Sequence, residues 1–209
     1  MKRGLFIAIE GPDGSGKSTF ARRLEQEIAK KGIHSITTRE PGGTAIGEKI
    51  RYLLLNPENE EMANRTEALL YAAARAQHVD EVIRPAIEAG KVVLCERFIL
   101  SSLAYQGVGR DLGLEEVRAI NLFAVDGCMP DVTLFFDVDP VVSMNRKEDE
   151  KDRLEAVGDA FHRRVFDGYK MLMQQEENIV IIDANQSPDA VFQEAMGHVL
   201  YCMEKRDLK

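Results

Sequence analysis

The stretch GPDGSGKST, Gly11 to Thr19, contains the residue types that bind a chain of phosphates. It fits the pattern G-x-x-x-x-G-K-[ST], with an apolar run before it and a helical pattern after it. Glycines let backbone N–H groups converge on phosphate oxygens, and the following helix adds the positive end of its dipole. We expect Lys17 to reach the β- and γ-oxygens and the Ser18 hydroxyl to ligate Mg²⁺. The predicted ATP-binding residues are Gly11, Pro12, Asp13, Gly14, Ser15, Gly16, Lys17, Ser18 and Thr19.

This loop pattern occurs in kinases, ATPases and GTPases, so alone it indicates a nucleoside triphosphate and little more. A GTPase switch is expected to carry an Asn-Lys-x-Asp guanine reader and an Asp-x-x-Gly sequence after a later strand. The sequence has neither. An ATP-driven motor would usually be larger than 209 residues. The pattern therefore leaves the phosphoryl acceptor as the main question.

Two further stretches end a strand-like run in charged residues. TREPGGT, Thr38 to Thr44, contains a Pro-Gly-Gly turn that holds Arg39 at the tip of its strand. VLCERFILSS, Val93 to Ser102, passes from an apolar run directly into Glu96 and Arg97. A carboxylate beside a guanidinium at the end of a buried strand is costly unless the pair holds something. Both arginines are therefore candidates for binding an anion.

Two helical segments add an aromatic ring and more hydrogen-bonding groups. In LLYAAARAQH, Tyr71 and Arg75 are four residues apart and share one helix face. In ERFILSSLAYQG, Ser102 and Gln106 have the same spacing. Taken separately, Tyr71 would be interpreted as core packing and Arg75 as a surface ion pair. Because both segments accompany the strand tips, we interpret all four residues as parts of one ligand site.

The elements that position these residues alternate between strands and helices. Short apolar or β-branched runs predict strands at Leu5 to Ile9, Ser35 to Thr38, Val92 to Cys95, Val132 to Phe136 and Ile179 to Ile182. Helical patterns lie between them, including a long alanine-rich segment from Arg65 to about Ala89 in which Pro85 predicts a kink or a new first turn. This alternation predicts an α/β fold with a parallel sheet covered on both faces, and ligands bind such sheets beyond the carboxyl ends of the strands.

The composition suits one compact domain spanning residues 1–209, with 44% hydrophobic and 30% charged residues. A net charge of −8 argues against nucleic acid or an anionic membrane as the main partner. Three scattered cysteines and four separated histidines show no disulfide or zinc pattern. No run approaches the length of a membrane span. These features predict a soluble protein of a reducing compartment, the cytoplasm.

One segment departs from the alternating pattern. NRKEDEKDRLEAVGDAFHRR, Asn145 to Arg164, has almost no apolar face in its first half. From the segment alone, it is either a solvated turn between helices or a mobile cationic lid that closes on phosphate. The lid interpretation places the mobile part at residues 145–158 and offers Arg146, Lys147, Lys151 and Arg153 as its cations.

Taken together, these motifs resemble those of the bacterial thymidylate kinase family. The resemblance covers nearly the whole chain: the phosphate loop, TREPGGT, YAAAR, ERF with SSLAYQG, DRLE at Asp152 to Glu155, and IDANQSPDAV near the C-terminus. REPGG together with AYQG is far more specific than the phosphate loop. The resemblance implies transfer of the ATP γ-phosphoryl group to dTMP with Mg²⁺, giving dTDP and ADP. It also implies a five-stranded parallel sheet of order 2-3-1-4-5 between layers of helices, and a homodimer.

The resemblance implies where each part of dTMP binds. Arg39 and Arg97 would grip the dTMP phosphate, and Arg51 in GEKIRYLLL would lie near it. Tyr105 would lie near the 2′ carbon of the sugar, and Asp13 would contact the 3′-hydroxyl. The acceptor site would therefore meet the ATP site at the phosphate loop, through Asp13.

The base would be held by residues of the two helical segments. In the resemblance, Tyr71 stacks on thymine and Arg75 donates to its O4. Ser102 and Gln106 meet the base edge. Because Arg75 offers only donors, we expect a match with a C4 carbonyl and a mismatch with the C4 amine of dCMP.

The sequence departs from the family pattern at two positions. Some members carry an arginine where this chain has Gly14, so we expect the lid to supply the catalytic charge here. The usual acid before the strand-tip arginine is aspartate, whereas this chain has Glu96, which we expect to hold the Mg²⁺ hydration shell together with Ser18. The catalytic candidates are Lys17, Arg97, Arg153, Arg146, Asp13 and Glu96.

Two other functions remain compatible with parts of the sequence. A deoxynucleoside kinase acting on thymidine also uses a phosphate loop and a Glu-Arg pair, but it needs no arginines for an acceptor phosphate, so Arg39 argues against it. A nucleotide-binding sensor without useful catalysis is opposed by the complete pair of Lys17 and Ser18 and by the basic lid. An assay of acceptor-dependent ADP release separates all three.

Overall fold

The computed structural model describes residues 3–139, 143 and 152–208. Within them, five parallel strands form one sheet. They are β1 (Leu5–Glu10), β2 (Ser35–Arg39), β3 (Val92–Glu96), β4 (Val132–Asp137) and β5 (Ile179–Asp183). Their order is β2-β3-β1-β4-β5, so the predicted fold class and strand order are confirmed.

The register of the sheet brings the charged strand ends to one edge. Glu96 lies opposite Ile9 of β1 on one side and Arg39 of β2 on the other. Every strand reaches one residue further than its apolar run, and its last residue is charged: Glu10, Arg39, Glu96, Asp137 and Asp183. The hydrophobic pattern ends before this charged residue, whereas the backbone pairing of the strand includes it. The sheet therefore delivers charge to the edge where ligands bind in this architecture.

Helices cover both faces of the sheet. They are α1 (Lys17–Ala29), α2 (Ala45–Leu55), α3 (Asn64–His78), α4 (Arg84–Glu88), α5 (Ile99–Ser102), α6 (Leu114–Val125), α7 (Asp159–Leu172) and α8 (Pro188–Lys205). One core lies between the sheet, α1 and α8, and it includes the predicted stripe of Phe20, Leu24 and Ile28. The other lies between the sheet and helices that include α6 and α7. The predicted three layers are present.

The long alanine-rich segment is interrupted rather than continuous. The α3 helix ends at His78, a π-helical turn spans Val79–Ile83, and α4 begins at Arg84 with Pro85 in its first turn. Proline lacks an N–H and its ring clashes with the carbonyl one turn earlier, and a widened turn accommodates both effects. The predicted break at Pro85 is confirmed.

In the part of the chain that the structure describes, no helix is both long and apolar enough to cross a membrane. Residues 145–151 of the predicted lid lie outside the described residues. The rest of that segment runs into a short 3-10 turn, Glu155–Val157, just before α7. The single domain and the lid at residues 145–158 stay predictions.

Candidate active site

The phosphate loop folds around the side chain of its own lysine. Lys17 begins α1, and its Nζ donates to the backbone carbonyls of Gly11 at 3.0 Å and Pro12 at 2.6 Å. The side chain is buried, so the ammonium is held in the loop with few contacts to water. The loop and its cation are therefore already arranged at the start of a helix, where backbone N–H groups and the helix dipole favour an anion.

Position 14 of the loop accepts only glycine. Gly14 has a φ of +73°, and a Cβ there would collide with the backbone carbonyl of Ser143. An arginine at this position, which the family resemblance led us to consider, would need that backbone to move. The local packing therefore explains why this chain has glycine rather than arginine at position 14.

The two predicted metal-binding side chains are in contact. The Ser18 hydroxyl donates to Oε2 of Glu96 at 2.6 Å, which joins the first turn of α1 to the tip of β3. Hydroxyl and carboxylate oxygens are hard donors of the kind Mg²⁺ prefers, and Mg²⁺ retains most of its waters when one or two such groups hold it. The longer side chain of glutamate thus still reaches the serine, and the pair fits the ion that the sequence implies.

We expect ATP to take up a proton when it binds at pH 8. Burial, followed by the charge of Arg97, lowers the pKa of Lys17 to about 7, so most of the amine is neutral at that pH in the free protein. Phosphate anions favour the ammonium and raise its pKa. Calorimetry in buffers of different ionisation enthalpy should show uptake of nearly one proton at pH 8 and little at pH 6.

The matched control for this measurement is Lys17→Arg, because a guanidinium stays charged throughout the range. This variant should bind ATP without proton uptake at either pH. Equal uptake by the variant and the unchanged protein would assign the proton to another group.

Arg97 occupies the position between the phosphate loop and the neighbouring pocket. Its backbone has a φ of +65°, an uncommon conformation for a residue with a side chain. Its Nη2 donates to Asp13 at 2.7 Å, and its Nη1 donates to the hydroxyls of Ser101 at 3.1 Å and Tyr169 at 3.3 Å. Burial opposes its charge, but Asp13 together with Tyr105, Tyr169 and Glu10 outweighs that effect, and the pKa of Arg97 lies well above its usual value. The permanently charged Arg97 guanidinium therefore lies beside the phosphate loop and lines the neighbouring cavity.

A buried carboxylate holds this strained backbone in place. Glu10 is fully buried, and its Oε1 accepts from the backbone N–H groups of Phe98 at 2.7 Å and Ser101 at 3.1 Å. These bonds satisfy the start of α5, immediately after Arg97. Burial raises the pKa of Glu10, against the lowering effect of its hydrogen bonds. The strand that leads into the phosphate loop therefore also fixes the arginine beside it.

A cavity opens next to Arg97 and contains most of the residues predicted to bind dTMP. Its empty space, counted out to its open mouth, is about 680 Å³. Predicted residues that line it are Asp13, Arg51, Tyr71, Arg75, Arg97, Ser102, Tyr105 and Gln106. The structure thus brings together side chains from the phosphate loop, α2, α3 and the segment after β3. Arg39 is absent from the described lining.

Arg39 lies at the rim instead. Its Nη1 and Nη2 donate to the carboxylate of Glu48 at 3.1 and 3.3 Å, and both side chains are about half exposed. The same Nη1 lies 3.5 Å from the carbonyl of Pro41, which also accepts from Arg51 at 2.9 Å. The two guanidiniums therefore meet at one carbonyl. Burial, with the charge of Arg39, lowers the pKa of Arg51, against the raising effect of the nearby Glu48 carboxylate.

Arg75 is fixed by a polar network under the cavity. It is 1% exposed, and its Nε donates to Glu40 at 2.7 Å. Its Nη1 donates to the Ser102 hydroxyl at 2.9 Å and to the Asn121 amide oxygen. Glu40 also contacts His78 at 3.0 Å. The guanidinium is therefore held in one orientation before any ligand binds.

The buried group of Glu40, His78 and Cys95 also brings metal-type ligand atoms within 4.8 Å of one another. Both ring nitrogens of His78 are already engaged, by Glu40 and by the Thr38 hydroxyl at 2.7 Å. The imidazole has no nitrogen left for an ion in this arrangement. We interpret the group as support for Arg75.

The structure changes the interpretation of the lid arginines. Arg153 is buried, and its Nε donates to the Leu54 carbonyl at 2.7 Å while its Nη2 donates to Glu67 at 2.6 Å. It is not in the described cavity lining, so in this state it is not the free cation expected of a lid. The reason is the ion pair with Glu67, a buried acid that the sequence motifs do not point to. Arg146 lies outside the described residues.

Several side chains at the site were not predicted from the sequence. They are Glu10, Glu40, Glu67, Asn121 and Tyr169. Two of them had a signal, because Glu10 ends the first strand and Glu40 stands inside REPGG. The other three occupy ordinary helical positions, and only the packing of distant segments reveals them.

A phosphate loop after the first strand of a 2-3-1-4-5 sheet, beside a second pocket with an arginine at its mouth, defines a P-loop kinase of small phosphorylated acceptors. The family model described as Thymidylate kinase matches residues 9–195. The chain belongs to the thymidylate kinase family.

Bacterial relatives match along most of the chain. The thymidylate kinase of Finegoldia magna is 56% identical over 194 residues, which cover 92% of this chain and 96% of the relative. That of Geobacillus thermodenitrificans is 50% identical, covering 96% of this chain and 92% of the relative. That of Clostridium novyi is 50% identical, covering 94% and 98%. The family resemblance in the sequence motifs is confirmed.

Proposed function

We propose that this chain transfers the γ-phosphoryl group of ATP to dTMP, giving dTDP and ADP, in the supply of dTTP. The observation that carries the proposal is the cavity beside the phosphate loop. Its lining includes the paired Arg97 and Asp13 as well as Tyr71, Arg75 and Gln106. A cation for an acceptor phosphate and a rigid donor for a base carbonyl therefore share one pocket.

In the proposed reaction, an oxygen of the dTMP phosphate attacks the γ-phosphorus, and the bond from that phosphorus to the β-phosphate bridging oxygen breaks. The acceptor is already an anion, so it needs no strong base. The transition state is loose and spreads charge over the γ-oxygens, so positioning and cations matter most. Ser18 and Glu96 would hold a Mg²⁺ ion, which would supply positive charge to neutralise the donor phosphates.

The chain's own cations divide the remaining work. Lys17 neutralises charge on the donor phosphates, and Arg97 aligns the acceptor oxygen with the γ-phosphorus. Arg39 and Arg51 hold the acceptor phosphate from the rim. Arg146 and Arg153 remain proposed lid cations, and the latter must leave Glu67 to act in this way.

The sugar and base would be held along the cavity wall. We propose that Asp13 accepts from the 3′-hydroxyl and that Tyr105 packs near the 2′ carbon. Tyr71 would stack on the base, and Ser102 would contact its edge. Because Asp13 now pairs with Arg97, substrate entry would exchange that ion pair for contacts to phosphate and sugar.

The two alternative functions are less well supported. A thymidine kinase would place a neutral hydroxyl beside Arg97 and Arg51, so these two cations would have no acceptor phosphate to bind. A non-catalytic sensor would have no use for a second pocket that opens beside the phosphate loop. Both alternatives predict a different assay result.

The test is ADP release in a coupled assay with dTMP, thymidine, dCMP, dUMP, GMP and UMP as separate acceptors. We expect dTMP to be the best acceptor and dUMP to be poor but detectable, since a methyl group is worth roughly 1–3 kcal/mol of binding. Preference for thymidine would favour the nucleoside kinase, and ADP release independent of every acceptor would reject both kinases.

We further propose that the chain forms a homodimer through α2, α3 and α6. These helices pack against one another in sequence, α2 on α3 and α3 on α6. They carry large exposed apolar side chains, among them Tyr52, Leu69 and Phe123, the last of which is 89% exposed. Such residues on neighbouring helices are typical of an interaction surface.

Sedimentation equilibrium should give about twice the 23.4 kDa chain mass, and Phe123→Glu should shift the measured mass towards that of the monomer. A monomeric mass for the unchanged chain would contradict the proposal.

The substrates ATP and dTMP are metabolites of the cytoplasm, and we propose that the chain acts there.

A further inference from the structure

A single buried carboxylate joins three parts of the site wall. Glu67 lies in the first turn of α3 and is fully buried. Its Oε1 accepts from Nε2 of Gln106 at 2.9 Å and from Nε of Arg110 at 3.2 Å. Its Oε2 accepts from Nη2 of Arg110 at 2.9 Å and from Nη2 of Arg153 at 2.6 Å. Four donor atoms from three other residues thus converge on one acid.

The two guanidiniums keep this carboxylate charged and oriented. Burial raises the pKa of Glu67, but the hydrogen bonds from Arg110, Gln106 and Arg153 and the charge of Arg110 together outweigh it, and the pKa lies below its usual value. Arg110 is bound through two nitrogens, which fixes the plane of the carboxylate. Glu67 is therefore an acceptor on both oxygens.

An acceptor of this kind decides which end of the Gln106 amide faces it. A charged carboxylate has no proton to donate, so only the NH₂ group of Gln106 can make the bond. Gln106 is 1% exposed and lines the cavity. With its nitrogen committed to Glu67, its carbonyl oxygen is the group left to face a base.

That polarity matches one class of pyrimidine. Thymine and uracil carry an N3–H donor, whereas cytosine has an unprotonated N3 that accepts. A carbonyl oxygen at Gln106 pairs with the first kind and opposes the second. This recognition of N3 by Gln106 is separate from the recognition by Arg75, which contacts the group on C4.

We propose that Glu67 is a positioning residue for base selection: it fixes the amide of Gln106 with its oxygen towards the pocket, so that the site selects an N3–H pyrimidine over cytosine. The inference rests on the proposed function, because it concerns the base of the acceptor nucleotide. Glu67 itself does not touch the substrate. Its effect passes entirely through Gln106.

The test replaces Glu67 with glutamine, which has nearly the same shape. A glutamine both donates and accepts, so the Gln106 amide is free to turn over and present its NH₂ to cytosine. We expect Glu67→Gln to lower the ratio of kcat/KM for dTMP to that for dCMP by about tenfold or more. The ratio for dTMP to dUMP should stay unchanged, because both bases carry N3–H. A merely loosened pocket would not produce this pattern.

Two controls locate the effect. Glu176→Gln breaks the partly exposed ion pair with Arg118, 2.6 Å apart, and should leave both ratios unchanged. In a Gln106→Leu background there is no amide to orient, so adding Glu67→Gln should no longer alter the ratio for dTMP to dCMP. A similar fall in that background would overturn the proposal, as would an unchanged ratio in the single variant.

A second measurement needs no change at Glu67 and so remains available if Glu67→Gln does not fold. In ¹⁵N-labelled protein, the side-chain NH₂ signals of Gln106, assigned by their loss in Gln106→Leu, should show one proton shifted downfield and protected from exchange with water. Addition of dTMP should leave that proton protected. Rapid exchange of both protons would overturn the proposal. If the unchanged chain phosphorylates no dTMP, the proposed function fails, whereas the NMR result still reports the orientation of the amide.

Discussion

Replacing Arg97 with alanine is expected to lower kcat/KM for dTMP by about a thousandfold or more. Arginines that stabilise the transferring phosphoryl group are worth roughly 10³–10⁵ in rate. Arg97 is placed for that role, since it pairs with Asp13 at 2.7 Å and lines the acceptor cavity beside the phosphate loop. Steady-state kinetics with varied dTMP at saturating ATP measures the loss.

The position of Arg97 also predicts a graded response. Arg97→Lys keeps one charge but loses the planar fork, so it should recover only part of the lost activity. Arg23→Ala is the matched control, because Arg23 also pairs with a carboxylate at 2.6 Å but is 40% exposed and is outside the described cavity lining. It should keep nearly full activity. An Arg97→Ala enzyme within roughly threefold of the unchanged one would remove Arg97 from the mechanism.

The backbone gives a reason why this arginine is so well placed. At φ +65° the residue sits in a conformation that costs free energy, of order 1–3 kcal/mol, unless its surroundings enforce it. Glu10 does so by binding the two backbone N–H groups that follow, and the Arg97 N–H donates to the Ile9 carbonyl at 2.9 Å. In the proposed function this cost is tolerated because the guanidinium has to point between the donor and acceptor phosphates.

The fold could be predicted from sequence because its signals are local. Apolar runs, glycines and the break at Pro85 each depend on a few neighbouring residues, and together they give five strands in sequence order. The spatial order of those strands came from the family resemblance. The phosphate loop is also local, since one strand, one turn and one helix build it.

The site was harder to predict where contacts join distant segments. Arg153 and Glu67 are 86 residues apart in sequence, and Arg75 and Asn121 are 46 apart. A run of charges around Arg153 indicates a solvated segment, yet a single buried acid is enough to draw its guanidinium inward. Arg39 shows the opposite case, because its strand-tip position was predicted but its pairing with Glu48 was not. Motif spacing places the backbone, and only tertiary packing decides where a long side chain points.

The wild-type chain is expected to prefer dTMP to dCMP by about 10⁴-fold in kcat/KM. A site built to hydrogen-bond a polar group rejects an analogue lacking it by roughly that factor, because buried polar groups are left unpaired. Arg75 has only donors, and cytosine offers a second donor at C4. Rotation cannot relieve this clash, since Glu40, Ser102 and Asn121 hold the guanidinium on two of its nitrogens.

Replacing Arg75 with glutamine should reduce that preference to about 10² or less, because an amide can present either a donor or an acceptor to C4. The loss should fall mainly on dTMP, and part of the remaining preference should come from Gln106. Glutamine can still donate a hydrogen bond to Glu40, so that buried carboxylate keeps a partner. Competition assays with mixed dTMP and dCMP measure the ratio directly. Equal turnover of the two nucleotides by the unchanged chain would remove Arg75 from base recognition, since a donor fixed this firmly cannot serve both a carbonyl and an amine.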